Sequence, residues 1–538
     1  MVNLSSPQKT VPWLGIGMGA IFLVSLGLRF WQLSQFNSLV FDEVYYAKFA
    51  SAFLQGKQDF GGHPPLSTYL IAGGIWLAER WRWGDQTLRN SLTGLDLSTF
   101  SYRWLNAGTG ALIPLVVGAI AFQLTQRRGY ALIAALFAAV DGIFLVESRY
   151  ALNNIYLVLL GLLGHWLLLL ALARLRMQRS DKRAISSTVY LVLSGVAFGG
   201  AIAIKWNGVA FLAAAYGIWI AAWVIWWADQ RADQWASQWA PGAAAIPGET
   251  AETANQSTVS PLVSPLVSPL VSPLVSPLAK LTRIQPITGV LSFAVVPFVV
   301  YWLSWLPYMQ LDPSTSFWGW QAKITDYHSR VGGMDVHPYC SPWYSWFLMV
   351  RPVAYFYKTA EDLGEVVPGG DPSQVIYDVH AMGNPFLWWF STLAMVLLII
   401  GLGAQVRQWL QRVAKVQVEE GDRPMAIRPP LARFQPNPLY SWTALYLSIS
   451  WIANWILWVR VTRCTFLYHY MGASIFSLLG LALIIHSWLQ RPVRWQRRAG
   501  IAAIAIIVAA FLFWLPLYLG LPISSAALQL RRWFPSWI

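Results

Sequence analysis

The sequence predicts an all-α protein that crosses a membrane many times, and three observations lead to this fold class. Of the 538 residues, 56% are hydrophobic and only 12% are charged, whereas a soluble domain carries about a quarter charged residues. Eleven apolar runs are long enough to cross the hydrocarbon core of a bilayer. Short basic loops lie between alternate runs, which is typical of a membrane protein oriented by charge.

The eleven predicted spans follow one another along the chain. They occupy residues 11–28, 104–124, 130–147, 150–172, 187–204, 208–228, 286–308, 385–405, 440–459, 466–489 and 499–519. No cleavage site follows the first run, so we expect it to be retained as a span. With the N-terminus in the cytoplasm, the loops QRRG at 126–129 and RPVRWQRR at 491–498 lie inside, as the positive-inside rule requires.

Two inserts interrupt the spans and predict the domain organisation. Residues 259–278 are five tandem copies of VSPL, and proline at every fourth position prevents a helix and is typical of an extended linker. An outward loop at 309–383 is too long for a simple connector, so we expect it to be functional. The predicted parts are a transmembrane module at 1–228 whose first outward loop is 31–103, a cytoplasmic linker at 229–285, and a transmembrane module at 286–538.

Ionisable residues gather at one face of this topology. Each is costly near hydrocarbon and is therefore a candidate site residue. A single Lys or Arg at a span end can simply reach the headgroups, and Asp141 can simply bond a neighbouring helix. Their convergence from separate segments instead favours a reaction centre, in which cations hold a phosphate and a carboxylate acts as general base. The converging residues are Asp42, Glu43, His63, Asp141, Glu147, Arg149, Lys205, Asn207, Arg460, Arg463 and His469.

Several familiar motifs are missing from the sequence. It contains no GxxxxGK[ST] phosphate loop, no D-x-D pair and no close His/Cys cluster, so we expect no nucleotide, no cofactor and no metal. The net charge is +14, but apolar runs interrupt the basic residues, so we expect the bilayer and not nucleic acid as partner. A lipid phosphate is the simplest substrate. Cys340 and Cys464 are able to pair as a disulfide, but the sequence favours two separate thiols.

Five segments resemble motifs of the protein O-mannosyltransferase family. FDEVYYAKFASAFLQGKQDFGGHPPLSTYLIAGG at 41–74 resembles the signature of the family's first loop, and DGIFLVESRYALNNIYL at 141–157 resembles its Asp and Ser-Arg-Tyr segment. GVAFGGAIAIKWNG at 195–208, GNPFLWW at 383–389 and RCTFLYHY at 463–470 resemble three further motifs. All five occur in the family's order.

The resemblance implies a GT-C glycosyltransferase fold with membrane-surface helices in the first outward loop. It implies transfer of mannose from a polyprenyl phosphate mannose to Ser or Thr hydroxyls of a secreted protein, by an inverting single displacement on the extracytoplasmic face. Asp42 would be the catalytic base, and Glu43 would orient that base or the peptide. The residues that would bind the donor or shape its pocket are His63, Arg149, Lys205, Arg463, Tyr468 and His469.

The chain departs from the family pattern at three places. Gly61 stands where the family has an acid, Asn154 stands where the Asp after Ser-Arg-Tyr is expected, and the proline after Tyr-His-Tyr is absent. These departures leave Asp42 and Glu43 as the candidate bases. Residues 309–383 cannot hold the β-trefoil insert of eukaryotic members, which implies a bacterial form in the plasma membrane.

Two other functions compete with this interpretation. An aminoarabinose-transferase-like enzyme of the same fold would act on a lipid acceptor, so the identity of the acceptor distinguishes it. A transporter or lipid flippase tends to show internal repeats and polar groups at the midplane. The polar groups here cluster at one interface and the two halves differ, which favours an enzyme.

Overall fold

The structure, a computed structural model, describes residues 13–175, 181–238, 278–368, 370–418 and 438–538. Within these ranges, ten helices are long and apolar enough to cross a membrane, and a pair bent by 56° at Arg128–Ala139 and Gly142–Arg149 adds an eleventh if it forms one span. The prediction of a polytopic helical protein with about eleven spans is therefore confirmed. Residues 239–277 of the predicted linker, which include almost all of the VSPL repeats, lie outside the described residues, so the predicted division into domains stays a prediction.

The helices of the first half run from the first span to the edge of the linker. They are α1 (Trp13–Phe30), α2 (Glu43–Leu54), α3 (Leu66–Arg80), α4 (Thr99–Thr125), α5 (Arg128–Ala139), α6 (Gly142–Arg149), α7 (Asn154–Arg174), α8 (Asp181–Ile204) and α9 (Val209–Gln238).

The helices of the second half follow the linker. They are α10 (Pro286–Val290), α11 (Val296–Ser304), α12 (Leu306–Leu311), α13 (Phe317–Arg330), α14 (Pro385–Val418), α15 (Pro438–Ile456), α16 (Met471–Gln490), α17 (Arg494–Leu519) and α18 (Ser525–Gln529). A π-helical stretch at Leu291–Val295 joins α10 to α11, so that these elements form one span.

The first outward loop contains the two short helices that the resemblance implied. α2 has 12 residues and α3 has 15, which is too short to cross a bilayer. Pro65 immediately precedes α3, where its missing N–H is not needed and its fixed φ favours a helical start. A short strand pair, β1 (Arg89–Asn90) and β2 (Leu97–Ser98), closes the loop before α4.

The second outward loop has structure of its own, which the sequence did not predict in detail. Besides α13 it holds an antiparallel pair, β3 (Val353–Thr359) and β4 (Val375–Ala381). A third strand, β5 (Pro522–Ser524), follows α17 and pairs with β4. The C-terminal residues then pack against the same loop, where the Trp537 indole donates to the Met349 carbonyl at 3.0 Å.

The expectation of two separate thiols is wrong. Cys340 and Cys464 form a disulfide, with their Cα atoms 5.2 Å apart and a separation of 124 positions in the sequence. Backbone hydrogen bonds flank the bridge, from Ser341 to the Thr465 carbonyl at 2.7 Å and from Cys464 to the Gly332 carbonyl at 2.9 Å. Sequence spacing alone does not reveal such a pairing, because it depends on the fold bringing the second outward loop against the segment before α16.

Candidate active site

A polar cavity lies between the two outward loops, the end of α8 and the segment that follows α15. Its volume is about 580 Å³. It brings together six of the eight predicted site residues, which come from four separate segments. These six are Asp42, His63, Lys205, Arg463, Tyr468 and His469.

Asp42 lines this cavity, and its carboxylate makes few contacts with the rest of the protein. It immediately precedes α2, yet its carboxylate makes no capping hydrogen bond to the helix. Its hydrogen-bond partner among the described residues is the Tyr468 hydroxyl, which lies 3.5 Å from Oδ2. Burial raises the Asp42 pKa to about 6, and the nearby Lys205 ammonium opposes that rise. A carboxylate with this pKa is mostly ionised at neutral pH and can still accept a proton, which suits a general base.

Glu43 does not line the cavity, and its role in orienting the base or the peptide stays a prediction. Its carboxylate is fully buried and binds the Arg103 guanidinium through two hydrogen bonds of 2.8 and 2.7 Å. It also accepts hydrogen bonds from the backbone N–H groups of Val40 and Ala151, each at 2.9 Å. Glu43 therefore fixes the start of α2 against α4 and the loop after α6. The two neighbouring acids are evident in the sequence. The partner of Glu43 is not, because Arg103 lies 60 positions further along the chain.

Arg149 is likewise absent from the cavity wall, and its predicted contact with the donor stays a prediction. Its guanidinium donates to the carbonyls of Leu28 at 3.0 Å and Trp31 at 2.6 Å, at the C-terminal end of α1. The last carbonyls of a helix lack intrahelical partners, and cationic side chains commonly satisfy them. Arg149 therefore ties α6 to α1.

Two cations face the cavity instead. Lys205 directly follows α8, and its Nζ donates to Asn154 Oδ1 at 3.3 Å and lies 5.6 Å from the centre of the Tyr468 ring. Burial and the neighbouring Arg463 lower the Lys205 pKa to about 8. Within the described structure, the Arg463 guanidinium makes one hydrogen bond, from Nη1 to the Cys464 carbonyl at 3.0 Å. Because neither cation is paired with a carboxylate in a salt bridge among the described residues, both can bind an anion such as phosphate.

Histidines complete the polar wall. His63 precedes α3, and its ring centre lies 5.3 Å from that of His328 in α13. Burial and the nearby cations lower the pKa of both residues, that of His328 to about 4. Both are therefore neutral at neutral pH and can share protons with a ligand oxygen. The sequence missed His328, since nothing in its local pattern places α13 over the first loop.

The Gly61 departure has a packing explanation. A Cβ atom at Gly61 would lie 2.2 Å from the Phe49 ring, and one at Gly62 would lie 2.2 Å from the Tyr327 ring. Gly62 also has a φ of +68°, a conformation that favours glycine. The loop before His63 is thus filled by aromatic side chains at the place where the family pattern has an acid.

A second cavity of about 320 Å³ adjoins the first. The two share four basic side chains, and the remaining wall of the second is largely apolar, with Trp206 from the turn before α9 and Leu457, Trp458 and Val461 from the segment after α15. The shared side chains are His63, Lys205, His328 and Arg463. The basic groups therefore lie where a polar chamber meets an apolar one.

Comparisons with known proteins cover most of the chain. Residues 19–241 match the family model of dolichyl-phosphate-mannose-protein mannosyltransferase, and residues 313–537 match that of the C-terminal four TMM region of protein-O-mannosyltransferase. The chain is 23% identical to the polyprenol-phosphate-mannose–protein mannosyltransferase of Mycobacterium tuberculosis, over 100% of this chain and 96% of that protein. It is 30% identical to protein O-mannosyl-transferase 1 of Mus musculus, over 38% of this chain and 27% of that protein.

A solved structure shares the fold. The S. cerevisiae protein O-mannosyltransferase Pmt1-Pmt2 complex, bound to the sugar donor, aligns with a TM-score of 0.68 over 98% of this chain and 93% of that chain, at 13% identity. This likeness confirms the GT-C fold that the sequence motifs implied.

Proposed function

Since the chain belongs to the protein O-mannosyltransferase family and is a membrane glycosyltransferase, we propose that it transfers mannose from a polyprenyl phosphate mannose to Ser or Thr hydroxyls of exported proteins. The transfer is an inverting single displacement on the extracytoplasmic face. One observation carries the proposal: the Asp42 carboxylate, which accepts one long hydrogen bond from Tyr468, shares a cavity with the two cations Lys205 and Arg463.

Asp42 acts as the base for the acceptor hydroxyl. An aspartate is too weak to ionise an alcohol before the reaction begins, so the proton moves to Asp42 while the bond from C1 to the phosphate oxygen breaks. Lys205 and Arg463 stabilise the charge that grows on the departing phosphate. General base assistance contributes about 10²–10⁴-fold, and one charge-stabilising donor contributes about 10²–10³-fold. One base and one open face of the sugar suffice, so no covalent intermediate is needed.

The two adjoining cavities suggest how the substrates are arranged. The donor phosphate binds where the cavities meet, and the polyprenyl chain leaves along the apolar wall of Trp206 and Leu457. The acceptor peptide enters from the other side, where Tyr45 of α2 and Tyr327 of α13 form the wall of the larger cavity. Trp343 of the second outward loop stacks on Trp455, with ring centres 5.1 Å apart.

The disulfide supports an extracytoplasmic site. Cys464 lines the larger cavity and is bonded to Cys340. Disulfides persist in oxidising environments outside the cytoplasm, so the cavity is expected to open on that side. The same orientation keeps the basic loops in the cytoplasm.

The proposal is tested with purified protein in detergent. It is incubated with polyprenyl phosphate mannose and a peptide rich in Ser and Thr, and the peptide is analysed by mass spectrometry. We expect a gain of one hexose, and no gain on a matched peptide in which Ala replaces every Ser and Thr. The anomeric configuration of the product, read by NMR, should be opposite to that of the donor. Transfer to a lipid acceptor with none to the peptide would contradict the proposal.

A further inference from the structure

Three polar side chains form a chain of contacts behind the cavity, and none of them lines it. The Tyr355 hydroxyl of β3 donates to Glu147 Oε1 of α6. Asn154 at the start of α7 donates from Nδ2 to Glu147 Oε2 at 3.2 Å. The Oδ1 atom of the same Asn154 accepts the hydrogen bond from Lys205 at 3.3 Å. The Glu147 carboxylate is fully buried, so these contacts determine its orientation.

The same chain reaches the segment that carries the base. The Tyr355 ring stacks on the Phe41 ring, with centres 4.2 Å apart and planes inclined by 9°. Phe41 directly precedes Asp42 and has a φ of 50°, a left-handed conformation that is costly for a residue with a side chain. Stacking on Tyr355 helps to hold this conformation. Tyr355 therefore contacts both the segment that carries Asp42 and the carboxylate that bonds Asn154.

The contacts also explain the second departure from the family pattern. Position 154 carries an amide where an acid is expected, and the buried carboxylate is supplied seven positions earlier by Glu147. An amide between a carboxylate and an ammonium is oriented by both, since its NH₂ faces the acid and its oxygen faces the cation.

We propose that Glu147 is a positioning residue, which through Asn154 holds the Lys205 ammonium toward the donor phosphate and through Tyr355 keeps the Asp42 segment in place. This inference rests on the proposed function for the identity of the donor. On this inference, β3 of the second outward loop connects the segment of the base Asp42 to the phosphate-binding cation Lys205.

The charge of Glu147 also acts on Lys205 directly. Asp42 and Glu147 raise the Lys205 pKa, whereas burial and Arg463 lower it. Removal of the Glu147 charge should therefore lower the Lys205 pKa further. The alkaline limb of donor binding would then begin at a lower pH. The titratable and charged groups that face Lys205 are Asp42, Glu147, Arg463, His63 and His469, with His328 beside them.

The test uses the full-length protein and measures both transfer and direct binding of polyprenyl phosphate mannose. We expect Glu147→Gln to raise the donor KM and Kd about tenfold and to shift the alkaline limb of kcat/KM to lower pH. The double variant Glu147→Gln/Asn154→Asp moves the carboxylate onto position 154, beside Lys205. It should restore the donor KM to within about threefold of wild type.

Asp141→Asn is the matched control. Asp141 is also a fully buried carboxylate at α6, but it binds the Trp388 indole at 2.6 Å and the Ile143 N–H at 3.0 Å. This variant should lose thermal stability with no change in donor KM or in the alkaline limb. If Glu147→Gln fails to fold, Tyr355→Phe removes one hydroxyl and should still raise the donor KM.

Either of two results overturns the inference. One is a folded Glu147→Gln or Tyr355→Phe variant with wild-type donor Kd and pH profile. The other is a folded double variant with no recovery of donor affinity. Failure of the proposed function gives a different result from failure of this inference. The wild-type protein would then bind the donor without glycosylating the peptide, and the donor affinities of the variants would still test the role of Glu147.

Discussion

Two charged regions of the protein are both buried, but they use their side chains in opposite ways. In the cavity, Asp42 has one long hydrogen bond, to Tyr468, and Arg463 has one, to a backbone carbonyl. In the polar layer around Glu43 and Arg103, the two side chains make seven hydrogen bonds. Two join them to each other, and five join them to backbone groups, which include the N–H groups of Val40 and Ala151. Residues 42 and 43 are neighbours in sequence and belong to different regions.

The number of hydrogen-bond partners distinguishes buried ionisable groups that can bind a ligand from those that hold the fold together. A buried charge is costly unless it is paired, so a fully paired group such as Glu43 stabilises the fold. A group left with few partners, such as Asp42, retains capacity for a ligand. Residue type does not distinguish them, and neither does position at a span end.

The largest expected effect is the loss of transfer rate when Asp42, which lines the cavity, is substituted. Asp42→Asn should reduce the rate of mannosyl transfer by about 10²–10⁴-fold, because it removes general base assistance, and should leave the melting temperature unchanged. Transfer assays and thermal unfolding of the same preparation measure both quantities. Wild-type turnover in a folded Asp42→Asn protein would remove Asp42 from the base role.

Glu43→Gln should give the opposite pattern. It leaves the Arg103 guanidinium buried without its counter-charge, which typically costs about 3–5 kcal/mol. We expect a clear fall in melting temperature in detergent, with Asp42→Asn as the control at the adjacent position. If Glu43→Gln were as stable as wild type but inactive, Glu43 would belong to the cavity region after all.

A matched pair of arginines sharpens the comparison further. Arg463→Ala should raise the donor KM about tenfold or more, since a hydrogen bond to a charged group is worth about 1.5–3 kcal/mol, with little change in stability. Arg149→Ala should lower stability, because the carbonyls at the end of α1 lose their donor, while donor KM stays constant. Equal effects of the two variants on donor KM would contradict the assignment of Arg149 to the supporting layer.

The smallest effect concerns pH. The rate kcat/KM should rise with pH through about 6 as Asp42 ionises and fall above about 8 as Lys205 loses its proton, in accord with the pKa values of the two groups. Because the Lys205 charge lowers the Asp42 pKa, Lys205→Met should move the acid limb to higher pH. An acid limb that stays fixed in this variant would indicate another base.

Much of this arrangement could be predicted from local sequence. Spans and their order follow from apolar runs, and the motifs that contain Asp42, Lys205 and Arg463 provide three of the residues that line the cavity. Contacts between distant segments could not be predicted, since nothing near Glu43 points to Arg103, and nothing near Cys340 points to Cys464. The same is true of His328 and Tyr355, which the second outward loop contributes on α13 and β3 respectively. The sheet that contains β3 is completed by β5 near the C-terminus.

A structure of the protein with bound polyprenyl phosphate mannose tests the central claim most directly. We expect the phosphate at hydrogen-bond distance, about 3 Å, from Lys205 Nζ and the Arg463 guanidinium, with the anomeric carbon facing the Asp42 carboxylate. A donor whose phosphate lies elsewhere, such as the separate cleft between Gln32 and Glu365, would contradict it.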